Sequence, residues 1–243
     1  MNPSANSYPR PIAKLEQTLG YTFTDKTYLQ RALTHSSFSN ELGDKHHHLL
    51  CNERLEFLGD SVLSLVVSRY LFSAYPDSAE GELTRLRAEI VCERALSSFA
   101  MEISLGDYLL LGVGEEKNRG RERRSILADA FEAMLAAVYL DAGEQGMAKV
   151  TEILLPFVQR EIARADASGS HDYKTLLQQF VQQTEGDFLE YVTVGESGPD
   201  HQKTFTVEAR LNSNVIGRGT GQSKRRAEQD AARQALALFG VRP

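Results

Sequence analysis

The stretch Asn52-Glu53-Arg54-Leu55-Glu56-Phe57-Leu58-Gly59-Asp60-Ser61-Val62-Leu63 sets three carboxylates into a segment otherwise built of core residues. On a helix of about 100° per residue, Glu56 and Asp60 fall within roughly 60° of Glu53, while Leu55, Leu58, Val62, Leu65 and Val66 gather on the other side. One face is acidic and the other apolar, as on many solvated helices. Two residues separate this helix from an ordinary one. Phe57 lies beside the carboxylates rather than in the apolar stripe, and Gly59 sits mid-helix, where it costs about 1 kcal/mol against Ala. A protruding aromatic and a missing side chain imply that something packs closely on the acidic face.

A second acidic pair follows in Ser125-Ile126-Leu127-Ala128-Asp129-Ala130-Phe131-Glu132-Ala133-Met134-Leu135. Asp129 and Glu132 are spaced i, i+3 and share a face, opposite Leu127, Phe131, Met134 and Val138. If the two apolar stripes join one core, the acidic edges converge into a carboxylate cluster. Such a cluster is unfavourable unless a cation fills it or some of its groups stay protonated. Hard carboxylate oxygens suit Mg²⁺ or Mn²⁺, with water completing the shell.

The rest of the chain must place these two segments. Ile12 to Leu33 reads as helices broken at Gly20, and Thr34-His35-Ser36-Ser37 as the end of a helix, with His35 a structural hydrogen-bonding residue. Glu41 to His48 is polar and reads as a surface loop. A metal reading of His46, His47 and His48 is weak, because adjacent side chains diverge and no further Cys or His supplies ligand spacing. The first acidic helix is expected to stop at Tyr75-Pro76-Asp77, with Glu80 in a short loop before the next helix. Gly114 to Arg124 reads as a loop whose Lys117, Arg119, Arg121, Arg123 and Arg124 either form a solvated face or contact phosphate. A further helix around Met147 to Ala163 closes a first domain over residues 10–164, and the small, polar 165–170 is expected to be a flexible linker.

Residues 171–241 change pattern. A helix at Tyr173–Gln182, alternating strands at Leu189–Val194, Thr204–Leu211 and Asn214–Gly219, and a helix at Lys224–Leu238 give α-β-β-β-α. The stretch from Gly219 to Gln229 puts Lys224, Arg225 and Arg226 at a helix N-terminus, a phosphate-binding arrangement.

Across all 243 residues, 42 % apolar content supports packed cores, while the formal charge of −6 weighs against a nucleic-acid partner. The distribution reverses that inference. Residues 1–171 hold 18 Lys and Arg against 24 Asp and Glu, whereas 172–243 hold 9 of each, so the negative excess lies in the first part. Cys51 and Cys92 form no CxxC pair, and the N-terminal stretch has no apolar core, which fits reduced thiols in a cytoplasmic protein without a membrane span.

The segments NERLEFLGDSVL and SILADAFEAMLAAVYLDAG, with Ala32-Leu33-Thr34-His35-Ser36-Ser37 upstream, resemble the signature motifs of the ribonuclease III endonucleases. The second half resembles the double-stranded RNA-binding domain over nearly its full length, including Gly198-Pro199-Asp200-His201. The resemblance implies an all-α endonuclease domain followed by a small α+β domain, and a homodimer that cleaves double-stranded RNA with Mg²⁺, or with Mn²⁺ in its place. It assigns Glu56, Asp129 and Glu132 as metal ligands, Asp60 and Glu132 as catalytic, and Glu53 and Glu80 as supporting residues. It makes Phe57 a knob inserted into the partner and Gly59 the site of close approach between subunits. In the RNA-binding domain it implies minor-groove contacts from Lys174, Thr175, Gln178 and His201, and phosphate contacts from Lys224, Arg225 and Arg226. Gln179 departs from the glutamate frequent in that family, which removes one expected contact. The implied products carry 5′-phosphate and 3′-hydroxyl ends with short 3′ overhangs, and ribosomal and other structured RNA precursors are the implied substrates.

Two other classes fit parts of the chain. A catalytically silent double-stranded RNA-binding or ribosome-associated protein would have no need of Glu56, Asp60, Asp129 and Glu132 together. A metal-dependent hydrolase of another substrate, such as a nucleotide phosphatase, would have no use for the RNA-binding half.

Overall fold

Apolar residues at helical spacing, punctuated by Gly, Pro and capping residues, produce a run of helices as far as Ser168. The computed structural model describes residues 8–42, 47–168, 173–182, 186–199 and 203–241. The helices are α1 (Ile12–Leu19), α2 (Lys26–Ala32), α3 (Ser36–Glu41), α4 (Glu53–Ala74), α5 (Glu80–Ile90), α6 (Glu93–Glu102), α7 (Val113–Lys117), α8 (Arg124–Asp141) and α9 (Gly146–Ser168). The chain divides into two compact units, Met1–Ile162 and Ala163–Pro243.

The first unit is built around α8. From Ile126 to Val138 nearly every side chain is buried, and only Asp129 and Glu132 are partly exposed. Alanines at 128, 130, 133, 136 and 137 keep α8 thin, so α4 and α6 pack against different sides of it. Phe99, Phe131 and Phe157 meet at ring-centroid distances of 5.4–5.8 Å and fill one side. The far end of α8 is pinned by Asp141, which accepts hydrogen bonds from Tyr21 Oη (2.7 Å), the Thr24 N–H (2.9 Å) and the Asp25 N–H (2.7 Å).

Several expectations are corrected here. Leu65, placed in the apolar stripe of α4, is 57 % exposed, and with Phe57 (80 %) and Phe72 (74 %) it forms an apolar face turned away from the core. Glu80 is the first residue of α5 rather than a loop residue, because Glu82 reaches back to accept from the Ala79 N–H (3.1 Å) and starts the helix there. Thr34-His35 does not end a helix. His35 caps the start of α3, its ring nitrogen accepting from the Ser37 N–H (3.2 Å). Between Gly114 and Arg124 the chain is ordered as α7 and a 3₁₀ turn at Gly120–Glu122. Helix α9 continues through 165–168, where Ala165 and Ala167 favour helix over the flexible linker expected there.

By length and composition, α4 is the one helix among the described residues that would suffice to cross a bilayer. Its buried side is spent on α8, and its acidic face carries Glu53, Glu56 and Asp60, which is the layout of a core helix.

In the second unit, α10 (Tyr173–Val181) and α11 (Lys224–Leu238) cover one face of the antiparallel sheet β1 (Leu189–Ser197), β2 (Thr204–Leu211) and β3 (Asn214–Gly221), in the order β1-β2-β3. Val207 and Ala209 point from β2 into a core with Leu177, Ala227, Ala231 and Ala235. Opposite them, Gly219 and Gly217 leave β3 bare where the α11 backbone lies against it. Asn212 and Ser213 both take positive φ (49° and 70°), the tight two-residue turn that fixes the β2–β3 register.

Candidate active site and nucleic-acid interface

Gly59 explains how the acidic residues meet. A Cβ at this position would collide with the backbone carbonyl of Glu132, so the glycine is where α4 and α8 cross most closely. This corrects the expectation that Gly59 serves approach between subunits: the close neighbour is a helix of the same chain. Glu56 precedes Gly59 by three residues and Asp60 follows it directly, so the crossing brings them to Glu132 and, one turn earlier, Asp129.

The electrostatics follow. Glu132 is pushed up to about 8, first by burial and then by the charges of Asp60, Glu56 and Asp129. Glu56 is raised to about 7 by burial, then by Asp129, Glu53 and Asp60. Asp129 is raised by burial, opposed by His35 and reinforced by Glu93. The four carboxylates share one site, with Glu53 at its edge. Glu80 is not among the charges that raise them; it accepts from Thr84 Oγ1 (2.8 Å) and lines a groove of about 410 Å³ with Leu65, Ser68, Phe72 and Leu83. Sequence reasoning missed Glu93, whose only signal was its place in the first turn of an amphipathic helix.

This donor set fits a hard divalent cation, because Glu56 and Glu132, whose charged forms are disfavoured first by burial and then by their acidic neighbours, would gain a counter-charge. Among the described residues no three His, Cys, Asp or Glu side chains stand as a ready-made cage. That is the usual condition for Mg²⁺, which keeps waters and takes phosphate oxygens in addition to one or two carboxylates. His46 lies outside the described residues.

The basic stretch before α8 is largely occupied. Arg121 Nη1 donates to the Gly106 and Leu109 carbonyls (2.9 and 2.7 Å) and its guanidinium pairs with Glu116, while Arg123 pairs with Glu115 at 2.8 Å. Lys117, Arg119 and Arg124 remain exposed.

In the second unit, Lys224, Arg225 and Arg226 are exposed together at the start of α11, where the Ser223 hydroxyl accepts from the Arg226 N–H. Lys203 joins them, a residue that sequence reasoning passed over: it pairs with Glu196 at 2.7 Å, and Lys224 stands 3.8 Å from the same carboxylate. Both lysines lie over the Phe205 ring. Gln178 and Thr175 are exposed on α10, whereas Lys174 is engaged within the chain, 2.8 Å from Glu228 and over the Tyr191 ring. His201 lies outside the described residues.

A family model described as ribonuclease-III-like matches residues 25–157, and one for the double-stranded RNA binding motif matches residues 173–238. Ribonuclease 3 of Syntrophotalea carbinolica is 47 % identical over 228 residues, covering 93 % of this chain and 96 % of that protein. Ribonuclease 3 of Caldanaerobacter subterraneus subsp. tengcongensis is 48 % identical over 230 residues, covering 95 % and 99 %. Among solved structures, the ribonuclease III nuclease domain of Campylobacter jejuni, which has a flexible region involved in dimer formation, is 45 % identical with a TM-score of 0.55, covering 62 % of this chain and 97 % of that one. Agreement at nearly half of all positions, extending through both units, places the chain in the ribonuclease III family of endoribonucleases.

Proposed function

We propose that this protein hydrolyses double-stranded RNA at the carboxylate cluster of α4 and α8 with Mg²⁺, or Mn²⁺ in its place. The products are 5′-phosphate and 3′-hydroxyl ends with short 3′ overhangs, and ribosomal and other structured RNA precursors are the substrates. The observation that carries this reading is the crossing at Gly59, which gathers Glu56, Asp60, Asp129 and Glu132 where burial and mutual repulsion disfavour their charged forms and a cation would favour them.

Glu56, Asp129 and Glu132 hold the cation. When bound, it neutralises charge on the phosphoryl oxygens and acidifies the attacking water. Asp60, the exposed member of the set, and the half-buried Glu132 are the residues that would orient and activate the attacking water. Glu53 supports the site from its margin, and Glu80, apart from the cluster in the groove with Leu65 and Phe72, contacts the RNA. The duplex is held by the second unit, which reads A-form shape through 2′-OH and phosphate contacts over about 16 bp. Lys224, Arg225, Arg226 and Lys203 meet phosphates, and Thr175, Gln178, Lys174 and His201 meet the minor grooves.

Two copies of the chain pair through the exposed apolar face of α4, with Phe57 as the protruding residue. Support comes from the exposure of Phe57, Leu65 and Phe72 and from the dimer of the Campylobacter relative. The free thiols Cys51 and Cys92 accord with a place in the cytoplasm.

Glu132→Ala tests the division between cutting and holding. The variant is expected to lose cleavage while binding a duplex as tightly as the parent in a gel-shift assay. Binding that fell in step with cleavage would refute it.

A further inference from the structure

Two side chains of α11 hold the start of α10. Lys174 is the second residue of α10, so its backbone N–H has no acceptor within its own helix. Gln229 Oε1 supplies one at 3.1 Å, and the adjacent Glu228 accepts from the Lys174 ammonium at 2.8 Å. That ammonium also lies 4.8 Å from the centroid of the Tyr191 ring on β1, so both helices and the sheet meet at one side chain. At the other end of α10, Phe180 packs on Phe239 with ring centroids 5.0 Å apart. Apolar contact is non-directional and tolerates sliding, whereas the bonds at Lys174 fix a register.

These bonds join two surfaces of different use. Thr175 and Gln178, three residues apart, are exposed on α10, while Leu177 and Val181 are buried. On α11, Glu228 and Gln229 follow Lys224 and Arg225 by four residues, about 6 Å along the same rigid helix. A carboxylate one turn behind three cations repels phosphate, and its pairing with Lys174 offsets that charge.

We propose that Gln229 and Glu228 are positioning residues for the selection of RNA, fixing the minor-groove surface of α10 at the distance from the α11 cations that an A-form duplex requires. This role presupposes that Thr175 and Gln178 meet a minor groove and that Lys224, Arg225 and Arg226 meet phosphates. An A-form duplex is recognised by both contacts made together, and a spacing fixed beforehand spares the cost of ordering it at binding. A DNA duplex is held through its phosphates, for which the α11 cations suffice.

The test uses the full-length protein in EDTA, with fluorescence anisotropy on an RNA duplex and on a DNA duplex of the same sequence. Gln229→Met keeps the shape without the acceptor and should lose about 3–10-fold in RNA affinity. DNA affinity and the salt slope should stay as in the parent, so the RNA-to-DNA ratio falls by the same factor. Gln229→Glu keeps an acceptor oxygen and should restore the ratio. Hydrogen exchange followed by NMR should find the Lys174 amide protected in the parent and exposed in Gln229→Met. An unchanged ratio, an equal loss on both duplexes, a Gln229→Glu as poor as Gln229→Met, or a freely exchanging Lys174 amide in the parent would each overturn the proposal. If Gln229→Met does not fold, Glu228→Ala decides: removing its charge favours both duplexes alike, so only lost positioning lowers the ratio, and an unchanged ratio refutes it. Gln178→Ala separates this inference from the reading beneath it. A ratio unchanged in Gln178→Ala would overturn the minor-groove reading and this inference with it, whereas a fall there without one in Gln229→Met would overturn this inference alone.

Discussion

Glu132→Gln should stabilise the metal-free protein while abolishing its chemistry. The parent carboxyl rises from 4.5 to about 8 because burial and then Asp60, Glu56 and Asp129 disfavour its charge. It binds a proton more tightly folded than unfolded, so its contribution to stability is full below about 4.5 and is lost as pH climbs through about 8. Converted at about 1.4 kcal/mol per pH unit, that shift would cost the folded state about 5 kcal/mol in alkali. The carboxyl is partly exposed and shares its repulsion with three others, so screening reduces the expected cost to about 1–2 kcal/mol. Glutamine keeps the shape and removes the charge. Calorimetry in EDTA should find parent and variant alike near pH 4.5, with the variant ahead by about 3–6 °C at pH 8.5. Adding Mg²⁺ at pH 8.5 should close the gap by raising the parent. A difference that did not grow with pH, or a variant less stable at pH 8.5, would refute the reasoning that burial and its acidic neighbours disfavour the charge of Glu132.

Three further outcomes follow from the geometry. Gly59→Ala drives a methyl into the Glu132 carbonyl, and despite a gain in helix propensity it should lose about 2 kcal/mol or more in chemical denaturation, with cleavage falling alongside. Replacing Lys224 and Arg225 by Ala should weaken duplex binding and reduce the slope of log affinity against log salt by about 2, measured by fluorescence anisotropy. Cleavage at fixed, subsaturating Mg²⁺ should rise from pH 5 toward 8 as Glu56 and Glu132, held at about 7 and about 8, release protons to the cation; a flat profile would contradict carboxylate ligation.

The acidic faces of α4 and α8 were legible because helical spacing alone puts Glu53, Glu56 and Asp60, or Asp129 and Glu132, on one side. The α-β-β-β-α pattern was legible for the same reason, with strand alternation in place of the helical period. What lay beyond periodicity was which surface meets which. Gly59 announced a close approach but not its partner, since a glycine opens space equally to a neighbouring helix and to a second subunit. Leu65 has the spacing of a core residue, yet it lines an open groove between α4 and Leu83 of α5 and stays 57 % exposed. Arg121 and Arg123 read as free charge, but backbone carbonyls and glutamates claim them. Lys174 is likewise claimed by Glu228, 54 residues downstream. His35 read as structural, and the structure agrees, its ring held by Ser37, whose hydroxyl accepts in turn from the Gly112 N–H.

The central claim is that a cation held by the α4 and α8 carboxylates cuts duplex RNA, and one assay meets it directly. A labelled hairpin RNA is incubated with the parent and with Glu132→Ala, with and without Mg²⁺, beside a single-stranded control. Cutting that requires Mg²⁺, is confined to the duplex and is absent in the variant is the predicted result. Tight duplex binding without cleavage under any divalent cation, or equal cutting by the variant, would contradict it.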